Sequence, residues 1–242
     1  MLHLLIGGLV VALAAMLAGA TGFGFGLVSV PLLLLAGYTL PFVVSANLTL
    51  VLLTRIPVVY QLRAHLTARR AMTLVLGSLP GLWLGTLVLT SVNPHWIKLA
   101  TGLLVIVATA LLVRARHAAA PSPIPGSLPT VGFIGGFLGA TAALNGIPVV
   151  LLLARDRVKP LSFLVDLAAY FVLSNLIALA LLDARGALVP RALFPATLLW
   201  LPGALAGNAL GITFSTRLPE LHFRRLTLAL ALVSGVVTVL TA

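Results

Sequence analysis

Apolar residues run along this chain in long blocks with short polar interruptions, and the blocks have the length of membrane crossings. A spanning helix needs about 20 consecutive, mostly apolar residues. Stretches near 41–60, 72–91, 95–113, 161–182, 192–213 and 223–241 meet that requirement, and residues 2–19 could also cross. Two more apolar stretches, 26–38 and 146–154, are too short and read as half-helices or re-entrant segments. The pattern predicts an all-α polytopic membrane protein with eight to ten membrane segments.

Each short stretch follows a glycine break. The first break is Gly19-Ala20-Thr21-Gly22-Phe23-Gly24-Phe25-Gly26, followed by Pro31; the second runs from Gly132 to Gly146, followed by Pro148. Later landmarks recur in the same order: Leu79-Pro80-Gly81 with Gly85 answers Leu201-Pro202-Gly203 with Gly207, and His95 to Leu99 answers His222 to Leu226. A single transporter domain over 1–242 is therefore expected, made of one repeat at about 1–117 and a second at about 129–242. A linker at about 118–128, carrying Pro121, Pro123 and Pro125, joins them. Each repeat reads as a glycine-broken helical hairpin plus three transmembrane helices, the pattern of secondary transporters.

Composition supports the membrane reading, since 61% hydrophobic and 8% charged residues leave too little polar surface to coat a water-soluble globule. The apolar start, 4–18, lacks a positive leader and continues into a break that recurs later, so it reads as mature structure rather than a secretory signal. The net charge of +11 is explained by position. With the Arg63, Arg69, Arg70 loop in the cytoplasm, threading the chain puts Arg114, Arg116, Arg155, Arg157, Lys159, Arg217, Arg224 and Arg225 on that side as well. Lys98, Arg185 and Arg191 fall outside, and Arg55 lies within a helix. The loop before Pro41 is then external and its counterpart before Pro160 internal, so the two repeats are inverted. Basic charge spent on topology argues against a nucleic-acid partner. Cysteine is absent, which removes disulfides, thiol chemistry and cysteine metal sites.

The early glycine break with Pro31, the paired Leu-Pro-Gly-x-x-x-Gly segments at Pro80 and Pro202, and the restart from Gly132 to Pro148 resemble the sulfite exporter TauE/SafE family, also called TSUP, over nearly the whole chain. The resemblance implies transport of sulfur-containing or carboxylate anions, such as sulfite and sulfonates, across a bacterial inner membrane. This chain alternates glycine with Phe23 and Phe25 where the family usually places consecutive glycines.

Breaks at membrane depth survive only where protein or a polar cavity satisfies the backbone. A half-helix N-terminus offers unpaired N–H groups and a positive dipole end to an oxyanion. The substrate-binding candidates at the breaks are therefore Thr21, Gly22, Gly24, Gly26 and Ser29 in the first, with Thr141, Asn145 and Gly146 in the second. Gly81 with Gly85, and Gly203 with Gly207, read instead as close helix packing.

Polar residues inside helices complete the set. Aligning Pro41 with Pro160 sets Asn47 opposite Asp166 and Arg55 opposite Ser174, with Asn175 beside it. Asn47, Arg55, Ser174 and Asn175 are substrate-binding candidates, and Asp166 is the candidate for coupling to H⁺ or Na⁺. Two alternatives stay open: Asp166 pairing with Arg157 or Lys159, and Arg55 snorkelling to the headgroups. The histidines sit at segment ends or in loops without metal-ligand spacing, and neither a metal nor a cofactor is expected. No helix-central histidine accompanies a buried serine, so an enzyme is not expected. The expected partners are the lipid bilayer, a small anion and H⁺ or Na⁺, with a homo-oligomer left open. The expected activity is alternating-access secondary transport; a passive anion channel or a permease subunit is the alternative.

Overall fold

The computed structural model describes residues 2–21, 24–114, 126–188, 190–215 and 220–241. These form ten α-helices and no strand: α1 (Leu2–Thr21), α2 (Phe25–Leu35), α3 (Leu40–Leu62), α4 (Ala68–Ser91), α5 (Pro94–Arg114), α6 (Ser127–Ala142), α7 (Gly146–Arg155), α8 (Pro160–Ala184), α9 (Pro190–Ser215) and α10 (Glu220–Leu240). A 3₁₀ turn, Arg63–His65, follows α3. Among the described residues, six helices are long and apolar enough to cross a membrane, and they include α1. The chain is a multi-pass membrane protein, and leucines such as Leu9, Leu198 and Leu205 stand exposed on its outer surface as a bilayer-facing protein requires. The two short stretches are α2 and α7, with 11 and 10 residues. The linker falls almost wholly outside the described residues, as does the Arg116 and Arg217 level of the charge pattern.

Local chemistry sets the helix ends. Proline stands in the first turn of α3, α5, α8 and α9, where its missing N–H costs nothing and its fixed φ suits the start of a helix. α2 ends at Gly37, whose φ of +90° lets the Tyr38 N–H turn back to the Leu33 carbonyl at 3.1 Å. α7 closes in the same way, with Arg157 at φ +48° and the Val158 N–H on the Leu153 carbonyl at 3.1 Å.

α1 and α2 form a hairpin whose ends meet. His3 Nε2 is 2.7 Å from the Ala36 carbonyl, and the Tyr38 hydroxyl donates to the His3 carbonyl at 2.7 Å. Trp200 of α9 backs this end of the bundle, fully buried, with its indole N–H on the Leu4 carbonyl at 2.8 Å and its ring edge-on to Tyr38 and Phe42.

The order of helices in the first half recurs in the second, and so do the largest interfaces. The two most extensive helix pairs are α4 with α6 and α1 with α9, which exchange when the halves are exchanged. Both depend on glycine. On α4, Gly77, Gly81 and Gly85 lie against the backbone of Pro129, Phe133 and Phe137 of α6; on α9, Gly207 and Gly211 lie against Ala12 and Met16 of α1. Small residues at four-residue spacing let backbones approach closely, which drives helix association where lipid supplies no hydrophobic effect. Gly81, Gly85 and Gly207 are thus packing positions, as their spacing predicts, while Gly203 makes only ordinary contact with Ala12. α3 and α8 run antiparallel through the centre, with the Asn175 side chain of α8 reaching the Leu48 carbonyl of α3 at 3.2 Å.

Candidate functional site

The two chain breaks meet at the centre of the bundle. They enclose a cavity of about 40 Å³ together with Val51 and Arg55 of α3 and Phe171 of α8. Gly24, Phe25, Gly26 and Leu27 line one side, and Ala143 through Ile147 line the other. A cavity of that size has room for about three water-sized groups, the scale of a compact oxyanion rather than a bulky organic acid.

Both walls are helix N-termini. Gly24 caps α2 with φ +98°, a left-handed value that disfavours any side chain. The first helical bond of α2 is the Val28 N–H on the Gly24 carbonyl at 3.2 Å, so the N–H groups of Phe25, Gly26 and Leu27 have no intrahelical acceptor. α7 begins on the opposite side at Gly146, after Ala143 in the left-handed region at φ +54°. Two positive dipole ends thus converge on one small space. Arg55 adds a full charge. Its Nε is buried without a hydrogen-bond partner among the described residues, and the side chain lines the cavity instead of snorkelling to the bundle end. A buried guanidinium N–H left unpaired calls for an anionic or polar occupant.

The remaining polar residues hold the breaks in place. The Asn145 amide donates to Asn175 Oδ1 at 2.7 Å and reaches Ser174 Oγ at 3.4 Å, while Asn175 donates to the Leu48 carbonyl. One chain of hydrogen bonds therefore ties the start of α7 to both central helices. In the first half, the Ser29 hydroxyl bonds to the Phe25 carbonyl at 2.6 Å and to Asn47, whose amide donates to the Val43 carbonyl at 2.8 Å. All five of these side chains are buried.

The candidates named from the sequence thus separate by place. Gly24, Gly26, Arg55, Asn145 and Gly146 line the cavity, while Ser29, Asn47, Ser174 and Asn175 stand behind it. Thr141 bonds to the Phe137 carbonyl at 2.8 Å and lines a separate space between α4, α5 and α6. Asp166 lies elsewhere, and its partner is neither Arg157 nor Lys159. Its carboxylate accepts from Arg70 at 2.6 Å and from the Thr67 N–H at 2.7 Å, at the start of α4. Tertiary contact brings that loop closer than the residues just before α8. Gly22, the Thr21 side chain and the His222 side chain lie outside the described residues.

Sequence reasoning missed the apolar part of the wall. Val51 and Phe171 carry no polar signal, and Ile147 reads as an ordinary helix residue. Position within the second break was the available signal for Ala143 and Leu144.

No curated protein and no solved structure matches this chain significantly. A family model does. The model of "Sulfite exporter TauE/SafE" matches residues 7–238, across both breaks and all ten helices, and the chain belongs to that family.

Proposed function

We propose that this protein carries small sulfur or carboxylate oxyanions, sulfite among them, across the cell inner membrane by alternating access. Family membership supports transport of an anion such as sulfite. The observation that carries the finer reading is the central cavity, where two helix N-termini and Arg55, its Nε without a partner among the described residues, face one compact space. The arrangement suits a trigonal oxyanion, whose oxygens accept from main-chain N–H groups of both breaks while Arg55 balances the charge.

In this reading the halves are inverted repeats. Exchange-equivalent interfaces, α1 with α9 and α6 with α4, support that, as does the antiparallel central pair. The anion sits at the axis relating the halves, and rocking of one half against the other moves its exposure from face to face. The end carrying Arg63, Arg69, Arg70, Arg155, Arg157 and Lys159 is cytoplasmic by the positive-inside rule. An H⁺ or Na⁺ gradient supplies the driving force.

The test is uptake of radiolabelled sulfite, a small sulfonate and acetate into proteoliposomes of the purified chain, with and without a pH or Na⁺ gradient. Saturable, gradient-driven flux of a sulfur oxyanion is expected. Unsaturable flux following membrane potential would identify a channel, and no flux of any of the three would reject the substrate class.

A further inference from the structure

Among the described residues, the smaller interfaces are not all equivalent under exchange of the halves, and the clearest difference lies at the two half-helices. α10 packs along both α1 and α2, but its counterpart α5 makes only slight contact with α6 and hardly meets α7. Where α2 is sealed, α7 faces a cavity of about 390 Å³. The sixth residues of the two half-helices show the difference: Val30 of α2 is fully buried, whereas Leu151 of α7 is half-buried and lines that cavity. The cavity runs the length of hairpin α6–α7. Leu111, Ser127 and Arg155 line it at the end where α6 starts and α7 stops, and Leu138, Leu144 and Ile147 at the end beside the second break. Leu144 and Ile147 also line the central cavity, so the same two side chains have the central site on one side and this space on the other.

Resting on the transport reading above, we propose that this space is the vestibule leading from the Arg155 face to the central site, and that Leu144 and Ile147 are the barrier closing it. The structure is then the state poised toward the Arg155 face, with the opposite route sealed by α10 on α2. An anion leaving the Arg55 site crosses one layer of apolar side chains and meets Arg155 at the mouth. An apolar partition flanked by cations blocks hydrated ions when closed and passes them once two side chains swing aside.

The chain contains no cysteine, so it is already a clean background for thiol labelling. Leu151→Cys and Val131→Cys, both facing the vestibule, are reconstituted without anion and exposed to a membrane-impermeant charged thiol reagent from one face at a time. Lipid-exposed Leu205→Cys sets the background rate, and Val30→Cys reports the sealed route. Modification of both vestibule positions from the Arg155 face only, with Val30→Cys at background, is the expected result. Background rates at both vestibule positions, as for a groove filled by lipid, or reaction from the opposite face, would overturn the proposal. A second measurement tests the barrier: Val51→Cys, inside the central cavity, should react several-fold faster from the Arg155 face once Leu144→Ala is added, and an unchanged rate removes Leu144 from that role. These readouts need no transported substrate, so they stand or fall separately from the flux assay. Monodisperse elution of each variant excludes misfolding.

Discussion

Gly26 of α2 rests directly on the main-chain carbonyl of Ala143, so that a β-carbon at residue 26 would overlap that oxygen. The two breaks are therefore in contact, although 117 positions separate these residues in the numbering. The carbonyl belongs to a backbone held in the left-handed region, and it cannot yield as a flexible side chain would. Gly26→Ala is expected to cost about 1–3 kcal/mol by overpacking. Thermal unfolding in detergent should show the loss, and flux should fall with it; a variant of unchanged melting temperature would mean that the breaks do not touch.

Arg55 is the charge at the cavity, and its removal separates the site from the scaffold. Arg55→Gln should abolish saturable anion flux, and it should abolish the rise in melting temperature that a bound anion gives the wild type. Arg55→Lys keeps the charge but loses the planar fork, so partial flux with weakened binding is expected. A melting temperature still raised by sulfite in Arg55→Gln would place the anion elsewhere.

Asp166 with Arg70 ties α8 to the start of α4, and the carboxylate is fully buried while Arg70 is partly exposed. Breaking a fully buried pair costs about 3–5 kcal/mol, and Arg70's access to water places this one below that range. Asp166→Asn and Arg70→Gln should lower stability by similar amounts, and the double variant by less than their sum. The pH dependence of flux should be unchanged in whichever variant remains folded. Loss of pH coupling at intact stability would return Asp166 to the role of coupling residue.

The Asn145–Asn175 bond is a positioning contact, since Asn175 stands behind the cavity wall. Asn175→Leu leaves the Asn145 amide and the Leu48 carbonyl short of a partner, at about 1–3 kcal/mol for each group left unsatisfied. Weaker anion affinity with a retained maximal rate is expected, because α7 loses its anchor while Arg55 stays. Titrating initial flux against anion concentration separates the two parameters.

Much of this was legible in the chain before folding was considered. Apolar run length marked the long helices because a bilayer imposes its thickness on each crossing. The glycine breaks marked both half-helices, since short apolar stretches preceded by unwound backbone have few other stable uses at that depth. Gly24, Gly26, Asn145 and Gly146, which line the central cavity, were readable as candidates for the same reason, being local features of the breaks. Glycines spaced for packing at Gly81 and Gly207 were equally plain.

Pairing was not legible. Asp166 and Arg70 are 96 positions apart, and nothing local favours Arg70 over Arg157 or Lys159. Arg55 could as well have reached the headgroups; only the packing of α3 between the two breaks turns it inward. Val51, Phe171, Leu144 and Ile147 are ordinary apolar residues whose position against the cavity depends on helices from both halves. The sequence by itself determined the class, the helices and the breaks, because each follows from the local demand that backbone polar groups be satisfied in hydrocarbon. Only the tertiary structure decided which charge meets which carboxylate, and which half-helix faces a cavity, because those depend on how helices distant in the chain are brought together.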